Sequence, residues 1–254
     1  MRLKDKVAVV TGGGRGIGEA IVYRFAREGA SVVVASRSVG EEVARRVEEA
    51  GGKALFVRTD VSDPASVRTM FGTAVDCFGG IDILINNAAL RGRDYAFDVQ
   101  EISLPAWREM FTVNLDGALL CAQEAAKQMI SQGRGGRILN ISSLMGYRCV
   151  PRISAYSTAK RALMGLTSCL ATELIPYGIV VNCIALGWIE SGLNVDYFKT
   201  PEFHERYIKT GSLPIGRGAS VDEVAAVASF FAGDDCSYVV GQTLLVDGGL
   251  SLTV

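Results

Sequence analysis

Val7-Ala8-Val9-Val10-Thr11-Gly12-Gly13-Gly14-Arg15-Gly16-Ile17-Gly18 decides how this 254-residue chain folds. The apolar run reads as a strand, and the segment after the glycines carries Ile17, Ala20, Ile21 and Phe25 at helical spacing. The glycines therefore occupy a strand-to-helix turn. Such a turn suits a pyrophosphate: backbone N–H groups and the positive end of the helix attract the anion, and missing side chains let phosphate oxygens and the next strand come close. A second motif, Tyr156-Ser157-Thr158-Ala159-Lys160, lies far downstream. Together the two motifs point to redox chemistry on a carbonyl or alcohol.

Outward from the turn, apolar strands and amphipathic helices alternate. Candidate strands are Lys6-Thr11, Ser31-Ser36, Lys53-Arg58, Asp82-Asn86, Gly136-Ser142, Ile179-Ala185 and Thr243-Asp247. Asp63 before Pro64 marks a helix start, because Asp caps free N–H groups and proline tolerates the first helical position. Gly29, Gly51 and Gly178 stand where helices should stop. The alternation predicts an α/β fold, a Rossmann-type, doubly wound, mostly parallel seven-stranded sheet with helices on both faces. Without an internal repeat or linker, residues 1–254 read as one domain. The irregular stretch Leu186 to Leu213 is long enough to act as a mobile active-site loop.

Composition narrows the possibilities. Hydrophobic residues make up 49% of the chain and mean hydropathy is +0.26, as suits parallel strands covered on both faces. Apolar runs stay far short of the ~20 residues of a spanning helix. The start, Met1-Arg2-Leu3-Lys4-Asp5-Lys6, lacks a signal-peptide core, so a cytoplasmic protein is expected. A net charge of −1 gives no global attraction to nucleic acid or anionic membranes. Cys77, Cys121, Cys149, Cys169, Cys183 and Cys236 form no Cys-x-x-Cys pair, and His204 is the one histidine. No metal site is expected, and the thiols read as reduced and mostly packing. Cys149 lies between Ser143 and Tyr156, but a free cysteine usually behaves as a small hydrophobe.

In their order and separation the motifs resemble the short-chain dehydrogenase/reductase family over nearly the whole chain, and its 3-oxoacyl-carrier-protein reductase and glucose dehydrogenase-like branch in particular. Thr11-Gly12-x-x-x-Gly16-x-Gly18 matches the glycine motif, Asn86-Asn87-Ala88 the motif after the fourth strand, and Tyr156-x-x-x-Lys160 the active-site pair, with Asn114 and Ser143 between them. Two residues depart from the pattern: Ala89 stands where glycine is usual, and Leu186 precedes Gly187 where proline is customary. Neither removes a catalytic side chain. Four apart on a helical segment, Tyr156 and Lys160 share one face. A free tyrosine titrates near ~10, and an adjacent ammonium with an oxidised nicotinamide favours the phenolate. The resemblance implies that Tyr156 exchanges a proton with the substrate oxygen and that Lys160 also holds the nicotinamide ribose. It further implies that Ser143, rather than Ser142, hydrogen-bonds the substrate oxygen and that Asn114 positions a water in a proton relay. Coenzyme contacts are implied for Gly12, Gly14, Arg15, Gly16, Ile17 and Gly18 in the turn, Asp60 and Val61 at the adenine, Asn87 and Ala88 toward the nicotinamide, and Gly187, Ile189 and Ser191 near the carboxamide.

Coenzyme choice is read at the end of the second strand. An acidic residue there would bind the ribose hydroxyls and repel a 2′-phosphate, whereas this chain has Ser36 followed by Arg37. Arg37 and Arg15 are both within reach of a 2′-phosphate, so NADP(H) is favoured over NAD(H). Trp188, Tyr197, Phe198, Phe203 and Tyr207 either close an apolar lid over a small carbonyl compound or pack together. Arg91, Arg93, Arg148 and Arg152 follow strand ends, which leaves an anionic substrate open beside simple solvated charge. A 3-oxoacyl-carrier-protein reductase is the nearest alternative activity; Arg134 suits an acidic carrier, Tyr177 does not. A non-catalytic dinucleotide-binding sensor or scaffold is the alternative of another class. The resemblance also implies a homotetramer. Ala118, Leu119, Ala122, Ala125 and Ala126 put small or apolar groups on more sides of one helix than a single buried stripe needs.

Overall fold

Seven strands, β1 (Val7–Thr11), β2 (Ser31–Ser36), β3 (Lys53–Arg58), β4 (Ile83–Asn86), β5 (Gly136–Ser143), β6 (Ile179–Leu186) and β7 (Thr243–Val246), form one sheet in the computed structural model. It describes residues 1–91, 96–192 and 195–253. Strand order is β3-β2-β1-β4-β5-β6-β7, and every neighbouring pair in it is parallel. The chain winds outward from β1 to β3, returns to the other side of β1 at β4, and winds outward again to β7. That reversal opens a crevice beyond the carboxyl ends of β1 and β4, the place where an open α/β sheet binds its ligand.

The helices are α1 (Gly16–Arg27), α2 (Glu41–Glu49), α3 (Pro64–Phe78), α4 (Leu104–Phe111), α5 (Gly117–Gln132), α6 (Ser154–Leu174), α7 (Pro201–Phe203) and α8 (Val221–Ala232). They cover both faces because strand residues alternate between two cores. Ala8 and Val10 point to the core shared with α1, α2 and α8; Val7 and Val9 point to that of α3, α5 and α6. All five residues of β1 are buried. A buried valine contributes roughly 1.5–3 kcal/mol, which explains why the central strands read as continuous apolar runs.

Local signals act as their chemistry dictates. Asp63 accepts hydrogen bonds from the N–H groups of Ala65 at 3.0 Å and Ser66 at 3.2 Å, starting α3. Ser220 and Glu223 form a reciprocal capping box on α8. Gly178 ends the turn after α6 with φ of 71°, a left-handed conformation that a side chain would strain. Between α4 and α5 the chain does not break: Thr112–Asp116 is one wide π-helical turn.

The described residues of the stretch Leu186 to Leu213 carry more regular structure than its sequence suggests. Its stem is a bridge between Ile189 and Ala219, with Glu190 N–H donating to the Ala219 carbonyl at 2.8 Å and Ala219 N–H to the Trp188 carbonyl at 2.9 Å. Above the stem lie a short 3-10 turn (Tyr197–Lys199), α7 and a π-helical turn (His204–Lys209). Among the described residues, no helix is long and apolar enough to cross a membrane.

Candidate active site

The glycine turn is shaped by close approach. A Cβ on Gly18 would lie 2.1 Å from the Gly12 carbonyl oxygen, so only glycine lets α1 start against β1. Arg15, extended at φ −163°, precedes α1 without giving it a side-chain cap, and its guanidinium is exposed. The first N–H groups of α1 thus keep their positive end for an incoming anion. Ser191 leans over the same turn: a Cβ on Gly16 would sit 2.6 Å from its Oγ. Ile17 is half-buried against the α1 core, and Ile189 is buried in the same core. Gly187 passes so close to β7 that a Cβ there would meet Asp247 Cα at 2.7 Å.

Thr11, which sequence reasoning counted only as part of the motif, ties this turn to β4. Its buried hydroxyl donates to the Ile85 carbonyl at 3.1 Å and accepts from the N–H groups of Asn87 at 3.0 Å and Ala88 at 3.1 Å. Asn87 Nδ2 donates back to the Thr11 carbonyl at 2.9 Å and the Gly12 carbonyl at 3.2 Å. Beneath them runs a second buried chain. Asn86 Nδ2 donates to Asn140 Oδ1 at 2.9 Å, and Asn140 Nδ2 donates to Thr167 Oγ1 at 2.9 Å, linking β4, β5 and α6. Asparagines inside otherwise apolar strands were the available signal for this chain.

At the adenine side, Asp60 accepts from the Ser62 N–H at 2.9 Å and its hydroxyl at 2.6 Å. Those hydrogen bonds, aided by the Arg37 charge, hold the Asp60 carboxyl below its ordinary range. Val61 is buried and packs against α5, where a Cβ on Gly117 would meet it at 2.8 Å. Ser36 donates its hydroxyl hydrogen bond to the Val39 carbonyl, closing the turn after β2, and Arg37 beside it is exposed. A Cβ on Gly14 would collide with that same Val39 carbonyl at 1.9 Å, so the turn after β2 and the glycine turn touch.

Ser143, Tyr156 and Lys160 come together where β5 meets α6. Ser142 is buried and donates its hydroxyl to the Lys160 carbonyl at 2.8 Å, whereas the half-buried Ser143 sits beside the Tyr156 phenol. Ser143 Oγ accepts from Met145 N–H at 3.2 Å, which leaves its own proton free to donate. Lys160 is 3% exposed; its Nζ donates to the Ile141 carbonyl at 2.8 Å and lies 5.9 Å from the Tyr156 ring centre. Burial pulls the Lys160 ammonium down to about 8. In the protein alone the Tyr156 phenol is pushed up rather than down, because burial outweighs the Ser143 hydrogen bond and the Arg91 charge.

Asn114, in the π turn, is buried and clamps the loop after β4. Its Oδ1 accepts from Leu90 N–H at 2.6 Å and its Nδ2 donates to the Leu90 carbonyl at 3.0 Å. Its side-chain amide is therefore committed. The aromatic residues after β6 pack on one another: Trp188 lies 5.3 to 6.0 Å, centre to centre, from Tyr197, Phe198, Phe203 and Tyr207, and Phe203 is buried. They form a small core of their own instead of hanging free over the site.

Other expectations fare variously. Arg134 pairs with Asp82 at 2.8 Å. Ala118, Ala122, Ala125 and Ala126 are buried within the subunit, and Leu119 is half-buried. Cys121, Cys183 and Cys236 are buried, while Cys77, Cys149 and Cys169 are exposed, so only half of the thiols pack. Arg93 lies outside the described residues.

Residues 12–251 match a family model described as enoyl-(acyl carrier protein) reductase. The "short chain dehydrogenase/reductase astE" of Aspergillus oryzae is 39% identical over 253 residues, covering 98% of this chain and 96% of that one. The chain belongs to the short-chain dehydrogenase/reductase family. Another of its relatives, "3beta-hydroxysteroid dehydrogenase 1" of Eggerthella lenta, is 38% identical over 253 residues, covering 98% and 95% of the two chains. A solved short-chain dehydrogenase/reductase from Serratia marcescens BCRC 10948 superposes with a TM-score of 0.90 at 36% identity, covering 99% of this chain and 100% of that one. As a short-chain dehydrogenase/reductase, the protein is an oxidoreductase of alcohol and carbonyl groups that uses a nicotinamide coenzyme. The residues present fit that coenzyme: α1 begins uncapped, and a side chain at Gly16 would fill the space beneath Ser191.

Proposed function

We propose that this enzyme is a cytoplasmic homotetramer that interconverts a ketone and a secondary alcohol with NADP(H), Tyr156 exchanging the proton. The reading rests on the convergence of Ser143, Tyr156 and Lys160 beside the crevice that holds the glycine turn. When bound, the reduced nicotinamide supplies the hydride. Tyr156 gives its phenolic proton to the substrate oxygen as the alcohol forms, and Ser143 donates a second hydrogen bond to that oxygen. A phenol kept protonated by burial suits the acid role at neutral pH. The resulting phenolate lies over the Lys160 cation, still protonated at pH 7 with its value near 8. Asn114 acts through position: with its amide committed to Leu90, only its main chain is left for a relay water.

Gly12, Gly14, Gly16 and Gly18 would hold the pyrophosphate, and Arg15 and Arg37 the 2′-phosphate. Both arginines are exposed, and neither has an ion-pair partner among the described residues. Apolar side chains left open near β7, Leu244 at 45% and Tyr238 at 100% exposure, support burial between subunits. Tyr156→Phe tests the mechanism: turnover should fall by about 10²–10⁴-fold while coenzyme affinity stays within a few-fold. Near-normal turnover in a folded, coenzyme-binding Tyr156→Phe would refute it.

A further inference from the structure

Three of the four arginines that follow strand ends near the site are described, and two of those are engaged by the protein. Arg148 Nη1 donates to the Leu250 carbonyl at 2.6 Å, and Arg152 donates to the Ala96 carbonyl at 3.3 Å with Asp98 at 3.8 Å. Arg91 is exposed and has neither a hydrogen bond nor a carboxylate partner among the described residues. The chain just before it is nevertheless held. Leu90, the residue before it, is held at both N–H and C=O by Asn114, and it packs on the same small core of Met110, Ala155 and Ala159 that Trp107, Phe111 and Tyr156 pack on. Arg91 therefore emerges from a rigid point beside the reacting phenol, and its charge bears on both Tyr156 and Lys160.

Two cations facing one site with an apolar wall repel each other, and that repulsion is relieved when an anion enters. A guanidinium offers a planar pair of donors that matches a carboxylate. Resting on the ketone–alcohol reading above, we propose that Arg91 is the specificity-determining residue of this site and that the substrate is a carbonyl compound carrying a carboxylate. The carbonyl is directed to Tyr156 and Ser143, and the carboxylate to the Arg91 guanidinium at the rim. The wall of Leu90, Trp107 and Phe111 accommodates the carbon chain between them.

Matched pairs test this: acetoacetate against its methyl ester, and levulinate against methyl levulinate, with purified protein and NADPH or NADH, followed by absorbance. The wild type should prefer the acid at least about 10-fold in kcat/KM at low salt, and the preference should shrink at high salt. Arg91→Gln should bring the acid-to-ester ratio to one or below, and Arg91→Lys should fall between, with circular dichroism and coenzyme binding verifying the fold. An acid-to-ester ratio near one in the wild type, or a ratio retained in Arg91→Gln, overturns the proposal. Turnover of the neutral esters in such a case leaves the ketone–alcohol reading standing. Failure of every ketone with either coenzyme overturns the underlying ketone–alcohol reading and this proposal with it.

Discussion

Lys160→Met should make the coenzyme-free protein more stable at pH 7 while removing its catalysis. Lys160 is 3% exposed, and burial lowers its ammonium from 10.5 to about 8. At ~1.4 kcal/mol per pH unit, keeping this side chain charged costs the fold about 3 kcal/mol. Methionine has similar length, no charge, and adapts well to buried surroundings. Against the gain stands the hydrogen bond from Nζ to the Ile141 carbonyl at 2.8 Å. Leaving that carbonyl without its donor costs about 1–2 kcal/mol. The net is a stabilisation of about 1–2 kcal/mol at pH 7, a rise in Tm of roughly 2–8 °C for a chain of this size.

The sign with pH follows from the folded value lying below the unfolded one. The cost of the charge is fully present below about pH 8 and is relieved as pH rises from about 8 toward 10.5. Over that window the variant loses its advantage, and above it only the missing hydrogen bond remains, so wild type becomes the more stable. Urea unfolding at pH 7 and pH 10, followed by circular dichroism, measures both ends. A variant less stable than wild type at pH 7, or one whose stability difference is the same at both pH values, refutes the reasoning.

Coenzyme choice should respond to the turn after β2: NADP(H) should give the higher kcat/KM in wild type, and Ser36→Asp with Arg37→Gln should reverse the order. A wild type that prefers NAD(H) removes the 2′-phosphate assignment. Thr11→Val deletes a hydroxyl that serves three backbone groups and should cost about 2–3 kcal/mol in urea unfolding, with weaker coenzyme binding; an unchanged midpoint would show that Thr11 is dispensable. Gly18→Ala should destabilise strongly, because its Cβ would lie 2.1 Å from a backbone oxygen that cannot yield. Light scattering coupled to size exclusion should give four chains, and a monomer at every assay concentration would contradict the assembly.

Most strand limits were readable because central parallel strands are buried on both faces, so that runs such as Val7-Ala8-Val9-Val10 and Ile179-Val180-Val181 carry their own evidence. Helix ends set by local chemistry, such as Asp63 and Gly178, were readable because the cap and the turn need only neighbouring residues. The π turn at Thr112–Asp116 was not, and Asn114 within it bonds Leu90 of another segment, a contact that periodicity does not encode. The stretch after β6 looked irregular because its order comes from rings that meet only in three dimensions. Within the site, the spacing of Tyr156 and Lys160 gave their shared face. The direction of Nζ toward the Ile141 carbonyl depended on how α6 packs on β5, and the upward movement of the phenol on its burial there.

The bridge between Ile189 and Ala219 gives the segment it closes a modular character. Residues 190–218 leave and rejoin the body at adjacent points, and the described ones pack their apolar surface on one another and against Trp188, Leu144 and Leu250. Lengthening such a loop twofold costs only about 0.6 kcal/mol of closure entropy. The segment is thus suited to exchange as a cassette: a relative's counterpart, grafted at Ile189 and Ala219, would renew everything between those two points while β6, the glycine turn and Tyr156 keep their places.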